Sequence, residues 1–295
     1  MNDRTYCCDV EQPDPTQAGS AVQVDVWLLI EYAYAWKPKA LEDNILPSVV
    51  TATINRLSDE FKSLGLNLRL QFIKQAASEL ASPRVYFADG RDHAWQLLTT
   101  QLNGYNEFPH LTAIELLEGR QLGFIPSSDE IYLVCTNGQR DICCARFGRP
   151  LYSRLNEVYG DRIWQTTHIG GHRYAPNLLC LPSGFVYGFV SPEVGVNLVQ
   201  DHDKQKLDVS RLRGRSHYPP HVQAGEIFSR LEHNLLHRND LVCTSSPESK
   251  DRVRVQFVSA EAHDITLLKE SVPNLATDCE ANPKPSIKFS VSPTG

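Results

Sequence analysis

Between Val22 and Leu102 short apolar β-rich runs flank one long stretch of helical periodicity. Val22 to Tyr32 is apolar and rich in β-formers, which predicts a first strand. From Leu41 to Leu64 the residues Leu46, Val49, Val50, Thr53, Ile54, Leu57, Phe61 and Leu64 recur at helical spacing, and Gly65 suits the C-cap. Leu66 to Ile73 alternates as a strand. Arg84 to Ala88 predicts another, closed by an Asp89-Gly90 turn, and a further strand fits Trp95 to Leu102. Leu111 to Glu118 fits a strand or a short helix.

The same order returns after Glu130. Glu130 to Cys135 reads as a strand, Thr136 to Asp141 as a loop, and Ile142 to Tyr159 as a helix with Asp141 at its N-cap and a break or kink at Pro150. A short strand, Arg162 to Thr166, leads to His168. Pro176 to Leu181 and Phe185 to Val190 form a hairpin around Pro182-Ser183-Gly184, and Pro192 opens a helix to about His202. This succession is that of a thioredoxin-like domain, in which a cis-proline often precedes the hairpin, here Pro176. The fold class expected is therefore α/β. A flexible leader (1–20) and a related, possibly thioredoxin-like α/β unit (21–125) precede a thioredoxin-like domain (126–205), and a small helical and β extension (206–295) follows. In that extension Gln223 to His237 reads as a helix, Val253 to Val258 and Ile265 to Leu268 as strands, and the Pro-, Ser- and Lys-rich tail from Asn274 as loosely ordered. The two halves share no sequence identity strong enough to be a repeat.

The chain has 295 residues, 41% of them hydrophobic, and a net charge of −6. That balance gives no electrostatic case for nucleic acid, although Arg140, Arg146, Arg149, Arg154, Arg162 and Arg173 gather near the candidate site. No apolar run predicts a signal peptide or a membrane span, so a cytoplasmic setting is expected. There the eight cysteines favour metal or redox roles over a disulfide framework. Cys180, in an apolar run, reads as a buried strand residue. Cys7-Cys8, in the polar leader, reads as functionless, with metal binding or thiol exchange as the alternative, and Cys243 and Cys279 show no recognisable partners.

Chemistry concentrates in two pairs of soft-metal ligands. Cys135 and Cys144 are separated by eight residues, and His168-Ile169-Gly170-Gly171-His172 places two imidazoles around two glycines. Two thiolates and two imidazoles can hold a metal ion or an iron–sulfur core, and the glycines let backbone approach what is bound. The histidines outside this run lack such a context and read as structural or exposed. Cys143 and Cys144 are adjacent, and on a helix their side chains diverge by about 100°, so one of them is the ligand.

With Cys135, Gly138-Gln139-Arg140-Asp141, Cys144, His168-Ile169-Gly170-Gly171-His172-Arg173 and Pro182-Ser183-Gly184 in place, the chain resembles the sucrase/ferredoxin-like family. Looser matches extend to Trp27-Leu28-Leu29-Ile30-Glu31, Trp36 and Arg213-Gly214-Arg215-Ser216. The resemblance implies a thioredoxin-like ferredoxin domain holding a [2Fe-2S] cluster through two cysteines and two histidines, with a redox protein as partner rather than a substrate. It selects Cys144 over Cys143, leaving Cys143 to packing or to a supporting contact behind the ligands. It implies Cys135 and Cys144 on one iron and His168 and His172 on the outer one. Gly170 and Gly171 would offer backbone N–H groups, and Arg140 and Arg173 would support or dock. No pair of glycosidase carboxylates stands out to support a sucrase activity.

Replacing two thiolates by neutral imidazoles removes negative charge, so reduction becomes easier. Centres with this ligand set reach about −150 to +300 mV against about −400 mV for four-cysteine plant-type ferredoxins. A solvent-facing imidazole nitrogen would couple electron to proton uptake. Two other readings use the same residues. A structural zinc site has a matching donor set but an unusually wide cysteine spacing, and a thiol–disulfide oxidoreductase lacks Cys-x-x-Cys.

Overall fold

The computed structural model describes residues 16–293 apart from 44–45, 77, 79–80, 92–94, 122, 250, 260 and 276–283. Cys7, Cys8, Cys279, His93 and the leader up to residue 15 lie outside the described residues. The first half runs β1 (Val26–Glu31), α1 (Ala40–Asp43), α2 (Ser48–Ser63), β2 (Leu68–Lys74), β3 (Arg84–Asp89), β4 (Gln96–Gln101), α3 (Ala113–Leu117) and β5 (Ile125–Pro126). The second runs β6 (Ile131–Cys135), α4 (Ile142–Tyr159), β7 (Ile163–Thr166), β8 (Leu178–Leu181), β9 (Phe185–Tyr187), α5 (Pro192–Asp203) and β10 (Leu212–Arg215). A final part contains α6 (Pro220–His233), β11 (Val242–Ser245), β12 (Arg252–Val258), β13 (Ala262–Leu275) and β14 (Lys284–Val291).

The strands of both halves form one ten-stranded sheet, in the order β10-β9-β8-β6-β7-β2-β1-β3-β4-β5. Within it the same pattern occurs twice. β6 pairs parallel with β7 and antiparallel with β8, which pairs antiparallel with β9. β1 pairs parallel with β2 and antiparallel with β3, which pairs antiparallel with β4. Each half thus has the strand order of a thioredoxin-like unit, and the α/β expectation holds. The halves join edge to edge where β2 and β7 pair antiparallel, Ile73 opposite Thr166 and Lys74 opposite Gln165. Both faces of the sheet are covered, so its central strands read as continuous apolar runs. Val26, Leu28 and Ile30 face one core, while Trp27 and Leu29 share another with Leu133, Cys135, Cys144 and Trp164 across the seam.

Two expectations need correction. The helix read from Leu41 begins instead at Ser48, with Pro47 at its N-cap, and a separate short helix precedes it. Proline disfavours helical backbone at the residue before it, which takes Leu46 out of the helix despite its spacing. Within the tail from Asn274, residues 284–291 are ordered: β14 pairs with β13 from Leu267–Val291 to Leu275–Lys284. Its alternation buries Phe289 in the core that α6 shares with the four-stranded sheet β11-β12-β13-β14. Smaller differences lie at ends. α4 runs unbroken through Pro150, and α6 closes at Asn234 in left-handed backbone. Residues 16–20 of the expected leader pack down, with the Gly19 N–H donating to the Arg213 carbonyl at 2.9 Å. The segment Leu111 to Glu118 resolves to α3, and the peptide bonds preceding Pro176 and Pro182 are cis.

Candidate metal centre

β6 ends at Cys135, and the chain turns through Thr136–Arg140 into α4. Asp141 caps that helix, its Oδ1 accepting from the Cys143 N–H at 2.8 Å. The cap fixes which cysteine points where. Cys144 joins the core that contains Cys135, and Cys143 is buried at the same helix start. Gly148 lets α4 lie against the end of β6, since a Cβ there would overlap the Cys135 carbonyl.

The histidine loop is fixed largely by the first half of the chain. The Thr167 N–H donates to the Phe72 carbonyl at 3.0 Å, and the Phe72 N–H donates to Thr167 Oγ1 at 3.2 Å. The His168 carbonyl then accepts from Arg69 Nη2 at 2.9 Å and from Gln71 Nε2 at 3.4 Å. Beyond it Gly170 and Gly171 have φ of 88° and 69°, a left-handed pair that turns the chain into the short 3₁₀ turn His172–Tyr174. Asn177 Nδ2 holds the Gly171 carbonyl at 2.9 Å, and Arg213 Nη1 holds that of Gly170 at 3.1 Å.

These elements bring three predicted ligands into one group. Cys135 Sγ, Cys144 Sγ and a ring nitrogen of His168 all lie within 4.8 Å of one another. His168 Nδ1 is 3.6 Å from Cys144 Sγ and 3.9 Å from Cys135 Sγ. His172 stands one step outside, its Nδ1 at 3.4 Å from His168 Nε2. Both sulfurs are 1% exposed and His172 is 8% exposed, while His168 is half-buried. The solvent-facing member is thus a histidine.

The electrostatics suit shared anionic ligands. The Cys144 thiol donates to Cys135, and His168 adds to the effect, so Cys135 sits well below the usual thiol range and Cys144 well above it. The Ile169 N–H also points at Cys135. His172 Nε2 is buried without a hydrogen-bond partner, 3.6 Å from Asp141 Oδ2. That carboxylate is placed to orient the ring once the other nitrogen binds metal. The donor set therefore fits a soft metal ion or an iron–sulfur group.

Arg140 is exposed at the rim of a cleft beside His168, and Arg173 is buried in the turn after His172. Three supporting residues were not legible from spacing. Arg69 and Asn177 hold the histidine loop as described. Arg213 is buried behind it, donating to Ser20, Gly170 and Asn177, and burial lowers its pKa to about 10 despite the nearby sulfurs. Their partners are far away in sequence; only Arg213, within Arg213-Gly214-Arg215-Ser216, had been singled out, and for its motif. Among the described residues His202 is the one other buried histidine, bonded to Tyr187 Oη at 2.7 Å and remote from the site in function.

Residues 17–214 match the sucrase/ferredoxin-like family. Two relatives share the name "Altered inheritance of mitochondria protein 32". The one from Meyerozyma guilliermondii is 33% identical over 98 residues, covering 30% of this chain and 35% of that protein. The one from Debaryomyces hansenii is 31% identical over 109 residues, covering 33% of this chain and 40% of that protein. No solved structure matches the chain. No described helix is long and apolar enough to cross a membrane.

Proposed function

The chain belongs to the sucrase/ferredoxin-like family, and on that premise we propose that it is a one-electron carrier whose ligands Cys135, Cys144, His168 and His172 hold a [2Fe-2S] cluster. The observation that carries this reading is the convergence of two buried sulfurs and a half-buried imidazole within 4.8 Å, with a second imidazole against the first. Bound there, such a cluster accepts and returns single electrons at a relatively high potential for its type. Cys135 and Cys144 supply negative charge from the protein interior. His168, the half-buried member, and His172 supply the two neutral imidazoles of the ligand set, where proton uptake would accompany reduction. Asp141 orients His172, and Arg213 holds a buried positive charge behind the loop. Arg140 and Arg173 take supporting or docking roles, Gly170 and Gly171 give the loop its close turn, and the partner is a redox protein. The expected compartment is a reducing one, the cytoplasm or the mitochondrial interior that the relatives' name brings to mind; Cys135, Cys143, Cys144, Cys180 and Cys243 carry no disulfide.

Zinc is the second reading, since three donors within 4.8 Å also suit a single ion. The dithiol reading is disfavoured because both sulfurs are 1% exposed, closed to a protein disulfide. Anaerobically purified protein should be brown and bleach with dithionite, with two iron and two acid-labile sulfide per chain, as expected for a [2Fe-2S] centre. Colourless protein carrying stoichiometric zinc would replace this reading with the second.

A further inference from the structure

A cleft of about 510 Å³ opens beside His168, across the seam between the two halves. That volume lies within the range of about 300–1,000 Å³ typical of small-molecule sites. One wall comes from α1, α2 and β2, the other from the turn after β6 and from Thr167-His168. Its charged lining is three cations, Lys39, Arg69 and Arg140, against a single acid, Glu42. This excess stands out on a chain whose net charge is −6. Lys39 and Glu42 pair at 2.9 Å, but both are well exposed, so the pair is weak and open to exchange. Arg69 is held rigidly, with one N–H committed to the His168 carbonyl.

The remaining lining divides into apolar and amide surface. Leu41 and Ile54 belong to the apolar part, and Asn137 and Gln71 supply the amides. Asn137 is 2% exposed. Its Nδ2 donates to the Lys37 carbonyl at 3.2 Å, whereas its Oδ1 accepts no hydrogen bond from the described residues. A buried acceptor left without a donor costs about 1–3 kcal/mol, and Asn137 lines the cleft, so a ligand N–H or O–H that reached this oxygen would recover that cost. Cationic rim, apolar wall and buried amide acceptor together describe one kind of occupant.

We propose that this cleft binds a small organic anion that carries an apolar ring system and an N–H donor, of the phosphate-bearing flavin class. The choice of ring rests on the electron-carrier reading: an occupant that feeds a one-electron centre through His168 has to give up its electrons singly, which flavins do and hydride-carrying nicotinamides do not. The charge and hydrogen-bonding requirements do not rest on it.

The test is titration of flavin mononucleotide into the full chain, followed by quenching of flavin fluorescence. Riboflavin and inorganic phosphate serve as comparisons. Saturable binding of flavin mononucleotide is expected, at least tenfold tighter than riboflavin. Lys39→Glu and Arg140→Glu, both at exposed positions, should each weaken it tenfold or more while leaving riboflavin unchanged. Binding should survive in metal-free protein. Persistence there, with no iron found in the purified protein, would therefore overturn the electron-carrier reading and leave the cleft standing. Absence of saturable binding overturns the proposal. So does equal affinity for the two flavins with both charge reversals silent, or displacement by phosphate as effectively as by the whole molecule. Far-UV circular dichroism of each variant confirms that it folds.

Discussion

Gly171→Ala and Gly170→Ala form a matched pair that tests whether Arg213 braces the histidine loop. Both glycines have positive φ, 69° and 88°, so alanine at either costs about 1–2 kcal/mol in backbone conformation. They differ in what the added carbon meets. At Gly170 the nearest atom is a Val22 carbon at 4.0 Å, an ordinary contact. At Gly171 the carbon would overlap the Arg213 guanidinium, which must move. That guanidinium is buried and hydrogen-bonded to Ser20, Gly170 and Asn177. Losing even one charged hydrogen bond adds about 1.5–3 kcal/mol, so Gly171→Ala should cost about 2.5–5 kcal/mol in all. Urea unfolding of the two metal-free variants at one temperature reads the difference directly. Gly171→Ala should also purify with less metal, because His172 follows immediately, whereas Gly170→Ala should retain most of it. A difference between the variants of less than about 0.5 kcal/mol, the usual scale for changes without a structural cause, would refute the bracing role.

Other expectations test the centre and its scaffold separately. His168→Cys should keep a cluster but add negative charge, lowering the midpoint potential and removing its pH dependence in protein-film voltammetry; an unchanged slope would exclude His168 as a ligand. Cys144→Ser should abolish metal binding, measured as iron per chain, while Cys143→Ser keeps it, since only Cys144 faces Cys135 and His168; the reverse result would reassign the ligand. Glu226→Gln should destabilise the fold by about 3–5 kcal/mol, because it strands Arg215 and Arg230 around a buried site. Burial alone would raise the pKa of Glu226, but the two guanidiniums outweigh it and hold the pKa low. Its stabilisation is therefore present above the unfolded carboxyl value of about 4.3 and lost as pH falls through the lower folded value. Unfolding of the native chain should steepen in acid accordingly, and the Gln variant should lack that component.

Much of the second half was legible because local pattern and tertiary demand agree there. β6 is apolar throughout and buried on both faces, Asp141 caps α4 as its position suggests, and the hairpin around Pro182-Ser183-Gly184 forms where turn chemistry places it. The approach of Cys135, Cys144 and His168 was visible for the same reason: the two cysteines mark a strand end and a helix start, and two glycines mark the bend between the histidines. Where composition stood in for pattern, the reading failed. The tail from Asn274 looked too polar to order, yet Ile287, Phe289 and Val291 alternate along β14 and Phe289 alone anchors it in a core. The supporting arginines were illegible for a different reason. A buried guanidinium is stable only where several distant acceptors converge, and nothing near Arg213 in sequence announces Ser20, Gly170 and Asn177.

The pairing of the halves explains why a centre of four side chains needs so long a chain. β2 and β7 meet over only Ile73–Thr166 and Lys74–Gln165, but the residues just past that contact carry the histidine loop. Thr167 is bonded to Phe72, and the His168 carbonyl to Arg69 and Gln71, all on β2. The second half thus supplies every proposed ligand while the first half fixes where one of them sits. The last strand of the second half contributes from behind, since β10 delivers Arg213 to the glycine turn. A second half cut away from β2 would keep both cysteines on β6 and α4 but lose the bonds that hold His168 against them. The first half is therefore part of the site's architecture, and the cleft that forms between it and His168 is a product of the same seam.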